Sequence, residues 1–223
     1  MTWMLFDWLG TVAFAVSGAM VGLSRRMDIF GIIVLAVLTA VGGGMVRDVL
    51  VGVTPPMALV HPEDLLLSVA TALIVAVLYE VLALTYERKR FIGFLYNVSD
   101  TIGLAAFTVT GVLVGMRQPG AHYVLPMMLG CITAVGGGML RDLMAQKVPV
   151  VLRMDVYAVA SLAGAFIMCA VWAWGQDAAS WLGFGVVLLL RFCALRFGWQ
   201  LYHPHPHRKV LHRPDERRKP PQS

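Results

Sequence analysis

The chain has 223 residues, 58% of them hydrophobic and 14% charged, with a net charge of +5 and a mean hydropathy of +0.73. This apolar share exceeds what a single soluble core needs and excludes an ordinary soluble domain. The basic residues sit in short joints and in the stretch 203–223, not interleaved with aromatics on a polar face, which excludes a nucleic-acid surface and leaves the lipid bilayer as the partner.

Seven apolar runs follow one another at about 4–24, 28–51, 64–85, 94–116, 122–146, 154–175 and 179–199. Runs of roughly 20 residues span ~30 Å of hydrocarbon as helices. The first begins almost at the start of the chain and has Arg25 and Arg26 behind it, the reverse of a secretory signal, so a retained helix is expected. Cys131, Cys169 and Cys193 lie inside apolar runs without metal-ligand spacing, and neither a metal nor a cofactor is predicted.

Lys and Arg counts set the expected orientation. With the basic stretch Arg208–Lys219 in the cytoplasm, Arg25/Arg26, Arg88/Lys89/Arg90 and Lys147/Arg153 fall there too, and little beyond Arg117 remains opposite. An odd number of spans is required, with the N-terminus outside and the C-terminus in the cytoplasm.

The chain repeats itself. Thr39-Ala-Val-Gly-Gly-Gly-Met-Val-Arg-Asp48 recurs as Thr133-Ala-Val-Gly-Gly-Gly-Met-Leu-Arg-Asp142, identical at nine of ten positions. Upstream, Asp7, Gly10, Phe14, Val16, Gly18 and Gly22 align with Asp100, Gly103, Phe107, Val109, Gly111 and Gly115, and Ser17 faces Thr110. The fold class is therefore an all-α membrane protein of seven transmembrane helices, two inverted three-helix repeats plus a seventh helix. The expected division is residues 1–92, 93–176, 177–200 and a disordered basic cytoplasmic tail at 201–223. Units with an odd number of spans insert in opposite directions, and proteins so built place their pathway at the repeat interface.

Three glycines in a row weaken a helix by about 1 kcal/mol each relative to alanine. A break or kink is expected at Gly42, Gly43 and Gly44 and at Gly136, Gly137 and Gly138, where freed carbonyls would favour a cation. Close packing of small residues is the competing expectation. It is preferred for Gly18-x-x-x-Gly22 and Gly111-x-x-x-Gly115.

Arg47, Asp48, Arg141, Asp142 and Arg191 are charges within apolar runs, which face a cavity or a partner. Adjacent Arg and Asp do not face each other on a helix, so the expected pairs are Asp7 with Arg47 and Asp100 with Arg141, serving as gates, vestibule walls or structural clamps. Ser17, Thr39, Thr110 and Thr133 are candidate polar pore lining, with hydrogen bonds to their own helices as the alternative. The GGGM[VL]RD motif lacks the Lys-Ser/Thr of a nucleotide-binding loop, and no catalytic triad pattern appears, so no enzyme is predicted.

The doubled motif, over about residues 5–199, resembles the trimeric intracellular cation channel (TRIC) family in its bacterial form. The resemblance implies a homotrimer of seven-helix subunits, each with its own potassium-permeable pore at helices 2 and 5, which bend at the glycine triplets. It implies K⁺ as the permeating ion, with Na⁺ a second candidate, bound lipid as a candidate ligand, and a bacterial inner membrane as the location. The same bacterial domain is also described as a glycine transporter, and inverted repeats suit alternating access as well as a gated pore.

Overall fold

The computed structural model describes residues 2–81, 87–120, 122–153 and 156–199. The expected cytoplasmic tail lies outside these residues.

All regular structure among the described residues is helical. The first repeat consists of α1 (Thr2–Ser24), α2 (Ile29–Leu50), a short α3 (Met57–Val60) and α4 (Glu63–Val81). The second consists of α5 (Glu87–Met116), α6 (Val124–Met144), a 3₁₀ turn at Val150–Leu152 and α7 (Tyr157–Ala170). After a 3₁₀ turn at Trp172–Trp174, α8 (Gln176–Phe197) closes the bundle. Asp28 caps α2 by accepting from Gly31 N–H at 2.7 Å, and Gly198, at φ +63°, ends α8 in the left-handed conformation.

Six of these helices are long and apolar enough to cross a membrane. The other two are the four-residue α3 and α7, the latter expected over 154–175 but helical for only 14 residues, about 21 Å of rise. The 3₁₀ turn at Trp172–Trp174 follows it, and the amphipathic rings of its tryptophans suit a membrane boundary.

Helix contacts repeat between the halves. α1 packs on α2 and α5 on α6, with α4 against α1 and α2 and α7 against α5 and α6. The halves meet along α1–α5 and α2–α6, and α8 leans on α5 and α7.

Glycines permit these approaches. A Cβ on Gly18 would lie 2.7 Å from Ala36 Cα, and one on Gly111 2.7 Å from Gly130 Cα, so the G-x-x-x-G motifs are crossing points within each repeat. Between repeats, Gly10 faces the Phe107 ring and Gly103 the Phe14 ring, while the two rings meet edge-on at 5.2 Å.

Of the break or kink expected at the glycine triplets, the break is absent. Both α2 and α6 run through them as uninterrupted α-helix. The reason lies in the crossing: Gly43 is pressed against the Thr133 carbonyl of α6 and Gly137 against the Thr39 carbonyl of α2. Apolar surroundings penalise unpaired backbone groups, and the close approach offsets the weak helix propensity of glycine. Gly136 approaches the same crossing, where a Cβ would lie 3.2 Å from Gly43 Cα.

Candidate functional site: two buried ionic nodes

The motif ends each central helix with an Arg-Asp pair, and each pair forms a buried node. In the second repeat, Arg141 has a side chain 0% exposed. Its Nη1 donates to Asp100 Oδ1 of α5 at 2.6 Å and to Ser17 Oγ of α1 at 2.5 Å, while Nε donates to Asp142 Oδ1 at 2.9 Å. One guanidinium thus ties α6 to a helix of each repeat. Asp142 Oδ2 accepts from Val150 N–H at 2.8 Å, fixing the 3₁₀ turn.

Aromatic faces complete this node. Arg141 Cζ lies 5.0 Å from the centroid of Tyr96, and Arg191 of α8 lies 4.7 Å from that of Tyr157. Tyr96 and Tyr157 escaped the sequence reading, because an aromatic at the head of an apolar run resembles a membrane-interface anchor.

In the first repeat the expected Asp7–Arg47 ion pair is not formed. Arg47 instead folds back on Asp48, with Nε and Nη2 donating to Oδ1 at 2.9 and 2.8 Å. The expectation that adjacent Arg and Asp avoid each other therefore fails at both nodes. The face rule describes Cβ directions, whereas the arginine stem is long enough to curl over its neighbour, and a bare ion in this setting is costly. Asp48 Oδ2 accepts from Met57 N–H at 2.9 Å, the counterpart of the Asp142 contact. The Asp7 carboxyl faces Asp64 of α4, with Arg47 and Asp48 in its electrostatic surroundings.

Counting from Pro56 and Pro149, which precede the equivalent turns, Asp64 holds the place that Tyr157 holds in the second repeat. One node is therefore rich in carboxylates and the other in cations and tyrosines. The internal repeat carried that signal, but residue types that differ between copies do not stand out in self-comparison.

Of the hydroxyls, only Ser17 joins a node. Thr39 donates to Leu35 carbonyl at 2.5 Å, Thr133 to Leu129 at 2.6 Å and Thr110 to Phe107 at 3.3 Å, each within its own helix.

Beside the second node opens a cavity of about 890 Å³, with Tyr96 and Asp142 at its wall and Arg25, Arg26, Lys147 and Arg153 around it. Burial, with Arg25 adding repulsion, holds the Lys147 amine below its ordinary pKa. The loops after α1 and after α6 thus reach the same face of the molecule, as their basic residues suggest.

Inverted helical repeats around buried charges define a polytopic membrane protein of the kind that moves small solutes or ions. A family model described as "Glycine transporter" matches residues 4–80 and 97–173, one copy on each half. The inner membrane protein YadS of Escherichia coli K12 is 35% identical over 207 residues, covering 90% of this chain and 96% of its own. The membrane protein YvgT of Bacillus subtilis is 35% identical over 202 residues, with the same coverage. Among solved structures, the TRIC trimeric intracellular cation channel orthologue from Rhodobacter sphaeroides superposes with a TM-score of 0.79 at 34% identity, over 88% of this chain and 98% of that one. A prokaryotic TRIC channel crystallised in 0.5 M KCl gives 0.82 at 29% identity, over 89% and 98%. The chain belongs to the TRIC cation channel family, in the two-repeat form that the glycine-transporter model describes. These structural neighbours are membrane channels, not enzymes.

Proposed function

We propose that this protein is a potassium-permeable monovalent cation channel, with a separate pathway through each subunit where α1, α2, α5 and α6 meet. The observation that carries the reading is superposition on TRIC cation channels over nearly the whole of both chains. Na⁺ is the second candidate for the permeating ion, and the subunits form a homotrimer, a reading supported by the relatives' description as trimeric.

The nodes supply a mechanism. Asp7, Asp48 and Asp64 make one mouth attractive to cations, with Arg47 held aside by Asp48. At the other mouth Arg141 locks α6 to Ser17 and Asp100, the contact that must loosen for ions to pass. Gly42, Gly43, Gly136 and Gly137 keep α2 and α6 close at mid-depth, so that small changes in their crossing alter the passage. Thr39, Thr110 and Thr133 act through their helices rather than by presenting oxygens to the ion. Bound lipid occupies the apolar outer surface.

The location is a bacterial inner membrane, supported by the inner-membrane description of YadS. The basic-loop face lies in the cytoplasm and the N-terminus outside, in keeping with the joint occupation of one cavity by Arg25, Arg26, Lys147 and Arg153.

A second reading, secondary transport of a small solute such as glycine, is favoured by the family model's description. Proteoliposomes separate the two: the channel reading predicts rapid K⁺ efflux that does not saturate over millimolar concentrations, and the transporter reading predicts saturable uptake of labelled glycine with no K⁺ leak.

A further inference from the structure

Three polar atoms around the second node are buried yet have no hydrogen-bond partner among the described residues: Arg141 Nη2, the Tyr157 hydroxyl and Arg191 Nε. Arg141 is 0%, Tyr157 1% and Arg191 2% exposed. Buried polar groups are nearly always paired, and a buried arginine without an acidic partner is costlier still.

Two of these atoms face one spot. A Cβ on Gly138 would lie 3.2 Å from the Tyr157 hydroxyl and 3.5 Å from Arg141 Nη2, so the missing side chain leaves a small recess lined by both donors. At Gly44, the equivalent residue of the first repeat, the recess meets Arg47 Nη2 at 3.6 Å and no hydroxyl. The two guanidinium groups and two carboxylates of the second node match in number but not in pairing. Asp100 and Asp142 are both engaged by Arg141, and Arg191 has only the face of Tyr157, with no ion pair among the described residues. The adjoining cavity with its four basic side chains would draw an anion towards this point.

We propose that the recess at Gly138 binds a small monovalent anion, held by Arg141 Nη2 and the Tyr157 hydroxyl and balanced by Arg191. A halide or the carboxylate of a small organic solute meets this chemistry equally. The ion would supply the acceptor that these donors, and the negative charge that Arg191, do not find among the described residues. The inference stands apart from the choice between channel and transporter, because it concerns binding rather than flux.

The test is the thermal unfolding midpoint of the full chain in detergent, titrated separately with sodium chloride, sodium formate and glycine. Ionic strength is held constant with sodium HEPES, whose sulfonate is too bulky for the recess, so that general screening does not contribute. A saturable rise is expected in the wild type. Tyr157→Phe, which keeps the ring beneath Arg191, and Gly138→Ala, which fills the recess, should each raise the half-saturating concentration at least tenfold, while Gly44→Ala leaves it unchanged. A rise with chloride alone assigns a halide, and a rise with formate and glycine but not chloride assigns a carboxylate. No saturable rise with any of the three, or an unchanged half-saturation in Tyr157→Phe, overturns the proposal and leaves the donors to water. Should Gly138→Ala fail to fold, Tyr157→Phe alone decides.

Discussion

Gly43 and Gly137 sit against each other's helices at the centre of the molecule: a Cβ on the first would strike the Thr133 carbonyl, and one on the second the Thr39 carbonyl. The contact is reciprocal because the halves are inverted copies, and it leaves no room for a side chain at either glycine of the α2–α6 crossing.

This reciprocity ranks the triplet positions. Gly43→Ala and Gly137→Ala meet backbone that cannot yield, and each should destabilise by about 1–3 kcal/mol or more. Gly42→Ala meets only the flexible Leu140 end, and Gly44→Ala only Arg47 Nη2 at 3.6 Å, so both should cost less. Thermal unfolding in detergent checks the order; equal losses at positions 43 and 44 would contradict it.

The nodes predict unequal couplings. Arg141 joins Asp100, Asp142 and Ser17, and removing one partner of a buried pair costs about 3–5 kcal/mol. A double-mutant cycle between Asp100→Asn and Arg141→Gln should therefore show a large interaction energy. The same cycle on Asp7→Asn and Arg47→Gln should show a much smaller one, since Arg47 pairs with Asp48.

Ser17 and Thr110 occupy equivalent places in the two copies but do different work. Ser17 accepts from a buried guanidinium, and a hydrogen bond to a charged group contributes about 1.5–3 kcal/mol. Ser17→Ala should fall in that range, whereas Thr110→Ala, which loses only a 3.3 Å bond to its own helix, should cost well under half as much. Chemical or thermal unfolding of the two variants measures the gap.

Lys147 is a probe of the basic cavity. Burial first, and Arg25 second, favour its neutral amine. Since the folded pKa lies below the unfolded one, the charged amine weakens the fold at lower pH, and that cost fades as pH rises through the lowered value. Acetylation of Lys147 followed by mass spectrometry should have its pH midpoint below that of a free lysine side chain. Arg25→Gln should move the midpoint part of the way back up, leaving the share due to burial.

The sequence made the architecture plain because membrane spans and a duplicated motif are strong signals that survive without tertiary information. The order of the long apolar helices follows from hydropathy, and the Asp100–Arg141 contact from self-alignment, whereas the shortness of α7 does not. Nor do side-chain conformations. Arg47 could reach Asp7 or Asp48, and only packing decides which. The unbroken course of α2 and α6 depends on how closely they cross, which propensity at Gly42–Gly44 does not encode. Tyr157 was hidden because its counterpart, Asp64, is chemically unrelated.

Planar-bilayer recording of the purified protein in asymmetric KCl tests the central claim most directly. The account predicts discrete unitary currents that reverse near the K⁺ equilibrium potential. A silent bilayer containing protein that takes up glycine saturably in liposomes would contradict it.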